Sequence, residues 1–279
     1  KEKINTMVRK YTDGLPLQQI DLRPREGGHT VLLTGSTGSL GCYILDAILN
    51  DPATVKVYCM NRSVDAESRQ QISFLEKGLE WCPRRQKRVE FLFASFGQER
   101  MGLGEAKYEE LIKSVDTIVH NAWKVDFNHS LSSFEDVHIR GVRNMVEFSL
   151  RSQHHAHLHF VSSISTVGAW SAKNGKLIPE TLVQDPDVTL PQGYGESKHV
   201  AERICATASE RAGVPTTILR VGQVAGPTSC SGVWNRQEWL PTLIATSKST
   251  GRIPTSLGSG PVNWIPVVGS STVSLPKWP

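Results

Sequence analysis

The sequence predicts an α/β fold of the Rossmann type, in which helices cover both faces of a doubly wound parallel sheet. Three observations support this prediction. Short apolar runs rich in Val, Ile, Leu and Phe alternate along the chain with patterns of helical periodicity. A glycine-rich turn follows the first apolar run. After residue 222 the alternation gives way to a smaller region rich in Gly, Pro, Ser, Thr and Trp.

The apolar runs are short and close to turn residues, which is typical of buried parallel strands. The alternation with helices requires right-handed crossovers between neighbouring parallel strands. The predicted strands lie near residues 30–34, 54–60, 88–93, 115–119, 157–162 and 215–220. The predicted helices lie near residues 39–50, 65–78, 105–113, 131–151 and 195–212, with a weaker helix near 237–249.

At 279 residues the chain is long enough for one large α/β domain and a small appendage. Residues 1–28 are polar and contain Pro and Gly, so we predict a linker or a strap onto the core. Residues 29–222 form the predicted nucleotide-binding domain. Because ligands bind beyond the carboxyl ends of the strands in open α/β sheets, residues 223–279 are predicted to form a small, incomplete substrate-binding region.

The turn after the first predicted strand carries the pattern of a dinucleotide-binding site. Residues 34–41 read Thr-Gly-Ser-Thr-Gly-Ser-Leu-Gly and lie between an apolar run and a helical pattern. The first glycine permits a tight turn, the second lets the backbone approach a pyrophosphate, and the third lets the helix pack closely on the strand. The predicted cofactor-binding residues of this turn are Thr34, Gly35, Thr37, Gly38, Ser39, Leu40 and Gly41.

The end of the second predicted strand indicates which nicotinamide nucleotide binds. NAD sites usually have an Asp or Glu there that accepts hydrogen bonds from the ribose. This strand ends instead in Asn61 and Arg62, and Arg69 follows on the next predicted helix. Since a guanidinium can hold a 2′-phosphate through a bidentate, charge-assisted contact, we predict NADPH as the cofactor, bound in part by these three residues.

A tyrosine and a lysine four residues apart, Tyr194 and Lys198, predict the catalytic centre, because a helix places both side chains on one face. The pKa of a free tyrosine is about 10, which makes it a reluctant acid at neutral pH. A lysine ammonium at ~4 Å stabilises a phenolate by up to ~4 kcal/mol at an effective dielectric constant of about 20. We therefore expect Lys198 to lower the pKa of Tyr194, which then protonates a developing alkoxide. Lys198 is also expected to bind the nicotinamide ribose.

Two further strand ends are expected to complete the site. The strand near 157–162 runs into a serine-rich segment, from which we select Ser163 as the hydroxyl that shares the substrate oxygen, with Ser165 as the alternative. The strand near 115–119 ends close to Asn121, which we expect beside the cofactor. The residues that would then line the entrance are Trp123, Lys124 and Phe127.

Composition excludes several classes of protein. Hydrophobic residues make up 39% of the chain and charged residues 21%, and the formal net charge is only +4. A nucleic-acid-binding protein usually needs a more concentrated basic face. No run approaches the ~20 apolar residues of a membrane-spanning helix. Five scattered cysteines without a Cys-x-x-Cys pair favour reduced thiols, and we therefore expect a cytoplasmic location.

Two clusters allow alternative interpretations. The basic run at residues 84–88 is interpreted as a solvated loop, with a docking patch for an acidic partner as the alternative. Four histidines suggest a metal site at first sight, but no carboxylate or thiol accompanies them at the spacing of metal ligands. We interpret them as strand-edge residues and predict no metal site. These histidines are His154, His155, His157 and His159.

These residues together resemble the extended short-chain dehydrogenase/reductases, whose signatures are the glycine turn and Tyr-x-x-x-Lys. Within that group the chain is similar to the thioester reductase domains of non-ribosomal peptide synthetases, polyketide synthases, carboxylic acid reductases and aminoadipate reductases, particularly fungal ones. Three positions depart from the usual pattern of these domains: Ser95-Phe96, His138 and Val221. The strings that carry the resemblance are residues 115–123, 161–165, 194–198, 220–226 and 264–267.

The resemblance implies that NADPH reduces a thioester held on the phosphopantetheine arm of an upstream carrier domain, which releases an aldehyde. Further reduction to the alcohol is left open. It also implies that Gly222 contacts the cofactor. The chain is then expected to be part of a larger polypeptide, monomeric when excised, with a helical substrate lid that is mostly absent from it.

Three other functions are compatible with the same residues. A free acyl-CoA reductase would use the same chemistry on an untethered substrate. A nucleotide-sugar epimerase or dehydratase shares the catalytic residues, but it favours NAD, and Arg62 argues against NAD. A redox-inert nucleotide-binding domain or a Dieckmann-cyclising release domain often lacks the tyrosine that this chain retains at position 194.

Overall fold

A computed structural model of the chain describes residues 1–16, 27–170, 174–175, 177–229, 232–257 and 264–268. The predicted strap and the predicted C-terminal region therefore lie partly outside the described residues, as does Cys230.

A parallel sheet forms the centre of the molecule. Its order is β3-β2-β1-β4-β5-β6, with every neighbouring pair parallel. The order reverses direction between β1 and β4, and this arrangement confirms the predicted doubly wound fold. The strands are β1 (His29–Thr34), β2 (Thr54–Asn61), β3 (Val89–Phe93), β4 (Thr117–His120), β5 (His157–Ser163) and β6 (Thr216–Val221).

Helices cover both faces of this sheet. They are α1 (Glu2–Thr12), α2 (Ser39–Asn50), α3 (Ala66–Glu76), α4 (Pro83–Gln86), α5 (Glu105–Ser114), α6 (Arg140–Arg151), α7 (Gly193–Ala212) and α8 (Trp239–Thr250). No helix in the described part of the chain combines the length and the apolar character needed to cross a bilayer.

Alternating residues of β1 contribute to two separate cores. Val31 and Leu33 are completely buried against α2, where Ile44 is also buried. Leu32 points to the opposite face and belongs to the core that α6 and α7 share. The central strand is therefore apolar on both faces, as a strand between two helical layers must be.

The segment predicted as one helix over residues 131–151 begins with two other kinds of turn. A 3₁₀ turn at Leu131–Phe134 is followed by a π-helical turn at Glu135–Ile139, and only then does α6 begin. The buried side chains of Phe134 and Ile139 are five residues apart. That spacing matches the π-helical repeat and not the α-helical one, so the wider turn keeps both side chains in the core.

The N-terminal segment contains a helix that the sequence analysis did not predict. In α1 the side chains of Ile4, Val8 and Tyr11 are buried in the core shared with α7. Asn5 also accepts a hydrogen bond of 2.6 Å from Arg203 of α7. These apolar residues recur at helical spacing, but the polar composition of the surrounding segment obscures the pattern.

Neither interpretation of the basic run at residues 84–88 agrees fully with the structure. Arg85 is buried and forms a 2.7 Å ion pair with Asp46 of α2. Arg88 donates to three backbone carbonyls, those of Leu49, Asp51 and Thr54. These two arginines join the start of β3 to α2 and β2, so only the other cations of the run lie free at the surface.

Beyond β6 the described chain forms a small second sheet of β7 (Val224–Ala225) and β8 (Ile265–Pro266). Three tryptophans cluster beside it, and the Trp264 ring makes edge contacts with Trp234 at 5.6 Å and with Trp239 at 5.0 Å. Helix α8 corresponds to the weak helix predicted near 237–249 and has no buried side chain.

Candidate active site

The carboxyl ends of β1, β4, β5 and β6 meet at one edge of the sheet. Ser163 is the last residue of β5, and Tyr194 lies in the first turn of α7. The turn between β1 and α2 lies at the same edge. The fold therefore brings the predicted catalytic and cofactor-binding segments together.

The glycine turn has the geometry that a pyrophosphate requires. Gly35 adopts a φ of +71°, which only glycine accommodates readily. A Cβ at Gly41 would lie 2.0 Å from the Gly35 carbonyl oxygen, so this position must lack a side chain. Gly38, by contrast, is open, because its Cβ would meet only that oxygen at 3.4 Å.

Helix α2 begins at this open face without a cap. Gly38 occupies the N-cap position and provides no side-chain hydrogen bond to the first turn. The first amide groups of a helix have no acceptor within it and carry a partial positive charge. The cradle at Ser39, Leu40 and Gly41 therefore fits an anionic pyrophosphate.

Thr34 supports the turn and does not face the cleft. Its side chain is fully buried, and its Oγ1 accepts hydrogen bonds from the backbone amides of Asn121 and Ala122 at 3.0 and 2.9 Å. Asn121 Nδ2 donates to the Gly35 carbonyl at 3.3 Å. Two residues predicted to bind the cofactor thus hold the glycine turn against the end of β4.

The same contacts define the protonation state of His120. With both lone pairs of Thr34 Oγ1 occupied, its hydroxyl must donate to His120 Nδ1, which lies 3.0 Å away. Burial lowers the pKa of His120 to about 3, so the ring is neutral and carries its proton on Nε2. That nitrogen has no hydrogen-bond partner among the described residues, and the ring lies among Phe96, Trp123 and Phe160.

Asn61 has a similar supporting role. Its side chain is buried, donates to Ser36 Oγ at 3.1 Å and accepts from Thr37 Oγ1 at 3.4 Å. The two predicted phosphate ligands, Arg62 and Arg69, are exposed. No carboxylate occupies the tip of β2, in agreement with the sequence.

Ser163 lies close enough to Tyr194 for its hydroxyl to lower the pKa of the phenol. Ser163 Oγ also accepts from the Ser165 amide at 3.2 Å, which fixes the hydroxyl at the start of a 3₁₀ turn. Ser165 itself is buried, and its Oγ has no partner among the described atoms. Of the two serines considered, Ser163 is therefore the one that reaches the tyrosine.

The expected effect of Lys198 on Tyr194 is not found. Burial raises the pKa of Tyr194, and the hydrogen bond from Ser163 offsets only part of this increase. Lys198 is fully buried and donates from Nζ to the Val161 carbonyl at 2.6 Å. Its ammonium is therefore directed toward β5, and burial lowers its pKa well below the ordinary value.

The sequence analysis did not assign Glu202 or His138 to the site. The Glu202 carboxylate, one turn after Lys198 on α7, is completely buried and paired with Arg220 of β6. His138 lies in the π-helical turn, and its ring is 4.9 Å from that of Trp123. Burial lowers the pKa of His138 to about 4, and the charge of Lys198 contributes.

The predicted entrance residues occupy different positions. Phe127 is 55% exposed and makes an edge contact of 5.3 Å with the Tyr194 ring, so it lies at the mouth of the site. Lys124 forms an exposed cluster with Asp126 and His129. Trp123 is partly buried and points inward.

Gly222 lies just beyond β6, beside a cavity of about 670 Å³. A Cβ at this position would meet no atom within 4 Å. Ile164 and Arg220 also line the cavity, which places it next to the segment that carries Ser163.

The histidines near β5 do not form a metal centre. His157 and His159 stack on each other at 4.2 Å, and His157 also hydrogen-bonds to Thr217. His155 and His154 contact backbone carbonyls. Within the described ranges, no group of three or more His, Cys, Asp or Glu side chains is arranged to hold a metal ion.

The chain is similar in sequence to larger curated reductases. The chain is 40% identical over 266 residues to a carboxylic acid reductase of Neurospora crassa, a match that covers 95% of the chain and 25% of that protein. It is 36% identical over 279 residues to the adenylate-forming reductase Nps11 of Serpula lacrymans var. lacrymans, with 95% and 24% covered. The chain therefore spans about a quarter of the length of these curated relatives.

Two solved structures of reductase domains also match this chain. The terminal R domain from the myxalamid PKS-NRPS pathway matches with a TM-score of 0.82 and 25% identity, covering 97% of this chain and 68% of that one. The PhqB reductase domain from Penicillium fellutanum has the same fold, with a TM-score of 0.74, 21% identity, and 98% and 67% covered. Residues 33–268 match the NAD-binding family described as male sterility protein, and the chain belongs to that family.

Proposed function

We propose that this chain uses NADPH to reduce an acyl thioester on a carrier domain and releases the acyl group as an aldehyde. The observation that carries the proposal is the meeting of Ser163, Tyr194 and Lys198 beside the uncapped glycine turn. Similarity to a carboxylic acid reductase and to a terminal R domain supports a reductase of carboxylic acid derivatives. The sequence resemblance to thioester reductase domains narrows the substrate to a thioester.

When bound, the nicotinamide supplies a hydride to the carbonyl carbon of the thioester. Ser163 and Tyr194 then act on the carbonyl oxygen, where their hydroxyls donate hydrogen bonds and stabilise the developing negative charge. Because burial raises the pKa of Tyr194, the phenol is protonated at neutral pH and can transfer its proton to that oxygen. The resulting hemithioacetal collapses with cleavage of the C–S bond, which gives an aldehyde and a free thiol.

The proposed preference for NADPH is supported by the residues at the end of β2. Asn61 is engaged with the turn, and Arg62 is exposed at the carboxyl edge of the sheet. The charge of Arg62 contributes to lowering the pKa of His138, so the guanidinium lies close to the same cleft. A guanidinium at this position binds a 2′-phosphate more strongly than it binds a ribose hydroxyl.

Two residues of the basic run, Arg84 and Lys87, remain candidates for a contact with an acidic carrier domain. Of the basic run, Arg85 and Arg88 are engaged within the fold, whereas Arg84 and Lys87 are exposed. We expect the double variant R84E/K87E to raise KM for a carrier-bound thioester and to leave KM for a small thioester mimic unchanged. If the variant and the parent have the same KM for the carrier-bound thioester, this contact is excluded.

The proposal is tested by mass spectrometry of the product released from a loaded carrier, with and without NADPH. We expect aldehyde or alcohol only with NADPH, and a stoichiometric amount of free carrier thiol. Tyr194→Phe removes the proton donor and should lower kcat by about 10²–10⁴-fold, with the Kd for NADPH within threefold of the parent value. Release of only acid or cyclised product under both conditions would overturn the proposal.

A further inference from the structure

Trp123 is connected to two residues of the site, to Tyr194 through Ser197 and to Lys198 directly. Its indole nitrogen donates to Ser197 Oγ at 3.2 Å, and that hydroxyl donates to the Tyr194 carbonyl at 2.8 Å. Ser197 is completely buried, so water does not compete for these hydrogen bonds. Trp123 is therefore connected to the first turn of α7 through a single intervening hydroxyl.

The same indole contacts Lys198. The Nζ atom lies 4.1 Å from the centre of the Trp123 ring and 4.7 Å from that of Phe160. Among the described residues its one hydrogen bond is to the Val161 carbonyl. Among the described residues, no carboxylate lies within ion-pair distance of Lys198. Glu202 acts on this buried cation only from beyond ion-pair distance, so the two aromatic faces are its direct contacts besides the Val161 carbonyl.

We propose that Trp123 is a positioning residue for both Tyr194 and Lys198: it orients the tyrosine through Ser197 and holds the lysine ammonium on its ring face. The inference rests on the proposed function only for its kinetic part. Without the contact with the Trp123 ring, we expect Lys198 to move or to lose its proton, because burial disfavours its charged form. The buried Glu202 carboxylate, one turn further along α7, supplies a counter-charge that raises the pKa of Lys198, whereas the nearby rings of His120 and His138 are neutral.

Two other roles for Trp123 make different predictions. A residue that only lines the entrance affects KM for the substrate and leaves kcat and nucleotide binding unchanged. A residue that only fills the core lowers the melting temperature and leaves the kinetics of the folded enzyme unchanged. A positioning residue affects kcat, and affects the binding of the nucleotide through Lys198, even in the absence of substrate.

Three variants separate the two connections. Trp123→Leu removes both the hydrogen bond and the aromatic face. Trp123→Phe keeps an aromatic face and removes the indole donor, and Ser197→Ala removes the same hydrogen bond from its other end. Trp81→Leu is the matched structural control, because that indole packs against Phe74 at 5.0 Å in the core on the α2 side.

We expect Trp123→Leu to weaken NADPH binding about 10-fold in calorimetry without substrate, and to lower kcat about 30-fold with KM for the thioester within threefold. Trp123→Phe should retain NADPH affinity within threefold and match Ser197→Ala in kcat. Trp81→Leu should lower the melting temperature without changing kcat. These fold-changes correspond to the range of a desolvated cation–π contact.

The proposal is overturned if Trp123→Leu retains both the NADPH affinity and kcat of the parent within twofold. A loss confined to KM, or an equal loss of NADPH affinity in the Phe and Leu variants, contradicts it as well. If the parent binds NADPH but reduces no thioester, the proposed function fails, whereas the series of NADPH affinities still decides whether Trp123 positions Lys198.

Discussion

The Arg220 guanidinium holds the Glu202 carboxylate in a buried ion pair that joins β6 to α7, the helix that carries Tyr194. Arg220 Nη2 lies 2.8 Å from Glu202 Oε2, and Nε lies 3.1 Å from both carboxylate oxygens. Glu202 also accepts hydrogen bonds from Ser162 at 2.5 Å and from Thr166 at 3.0 Å. Ser162 and Thr166 lie on either side of Ser163 in the chain, so the carboxylate connects the segment of Ser163 to the helix that carries Tyr194.

Removal of this carboxylate should be strongly destabilising. Glu202→Ala leaves the Arg220 charge largely buried and unpaired, which costs about 3–5 kcal/mol of unfolding free energy. The matched control is Asp136→Ala, since Asp136 is 82% exposed in its pair with Arg140 and should contribute about 0–1 kcal/mol. Urea denaturation of the three proteins measures both values. Equal losses in the two variants would show that Glu202 has no special role.

Two glycines of the cofactor turn should respond differently to the same substitution. Gly41→Ala forces a methyl group against the rigid Gly35 carbonyl and should cost about 1–3 kcal/mol of stability. Gly38→Ala fits sterically and should change stability by less than about 0.5 kcal/mol. Gly38→Ala should nevertheless weaken NADPH binding, because the added methyl group occupies the face that a pyrophosphate would approach. Thermal unfolding and calorimetry test both expectations, and undiminished NADPH affinity in Gly38→Ala would contradict the placement of the pyrophosphate.

Features with a strong local pattern were predictable from the sequence. The strands of the sheet are short and rich in apolar residues, so their positions and their parallel arrangement followed from periodicity and alternation with helices. The glycine turn and the spacing of Tyr194 and Lys198 are local patterns, so they are recognisable in the sequence without knowledge of the tertiary contacts. In each of these cases the residues that define the feature are neighbours along the chain.

The features that could not be predicted depend on contacts between distant segments. In the sequence Arg85 has the pattern of a surface cation, whereas in the structure it forms an ion pair with Asp46 of α2. The expected coupling between Tyr194 and Lys198 assumed only their spacing on a helix. The Val161 carbonyl and the Trp123 ring, which hold the ammonium in another direction, come from two different strand ends. Tertiary contacts of this kind leave no periodic signal in the sequence.

Arg62 should determine the choice between the two nicotinamide nucleotides. Arg62→Ala removes a charge-assisted contact with the 2′-phosphate and should weaken NADPH binding by about 10–100-fold, which corresponds to roughly 1.5–3 kcal/mol. The Kd for NADH should change by less than threefold, because NADH has no phosphate at that position. Arg84→Ala is an exposed control outside the cleft and should change neither Kd. An equal loss for both nucleotides in Arg62→Ala would show that the arginine does not recognise the 2′-phosphate.

Buried neutral histidines should make the fold sensitive to acid. Burial lowers the pKa of His120 and of His159 to about 3, from an unfolded value of about 6.5. The unfolded chain therefore binds protons that the folded chain excludes, so this contribution is complete above pH 6.5 and is lost as the pH falls toward 3. Each such histidine adds a slope of about 1.4 kcal/mol per pH unit to the unfolding free energy between these values. His159→Phe keeps a ring stacked on His157 and removes one titrating group, so urea denaturation between pH 6.5 and 5 should show a slope reduced by about this amount. An unchanged slope would mean that His159 is already protonated in the folded chain.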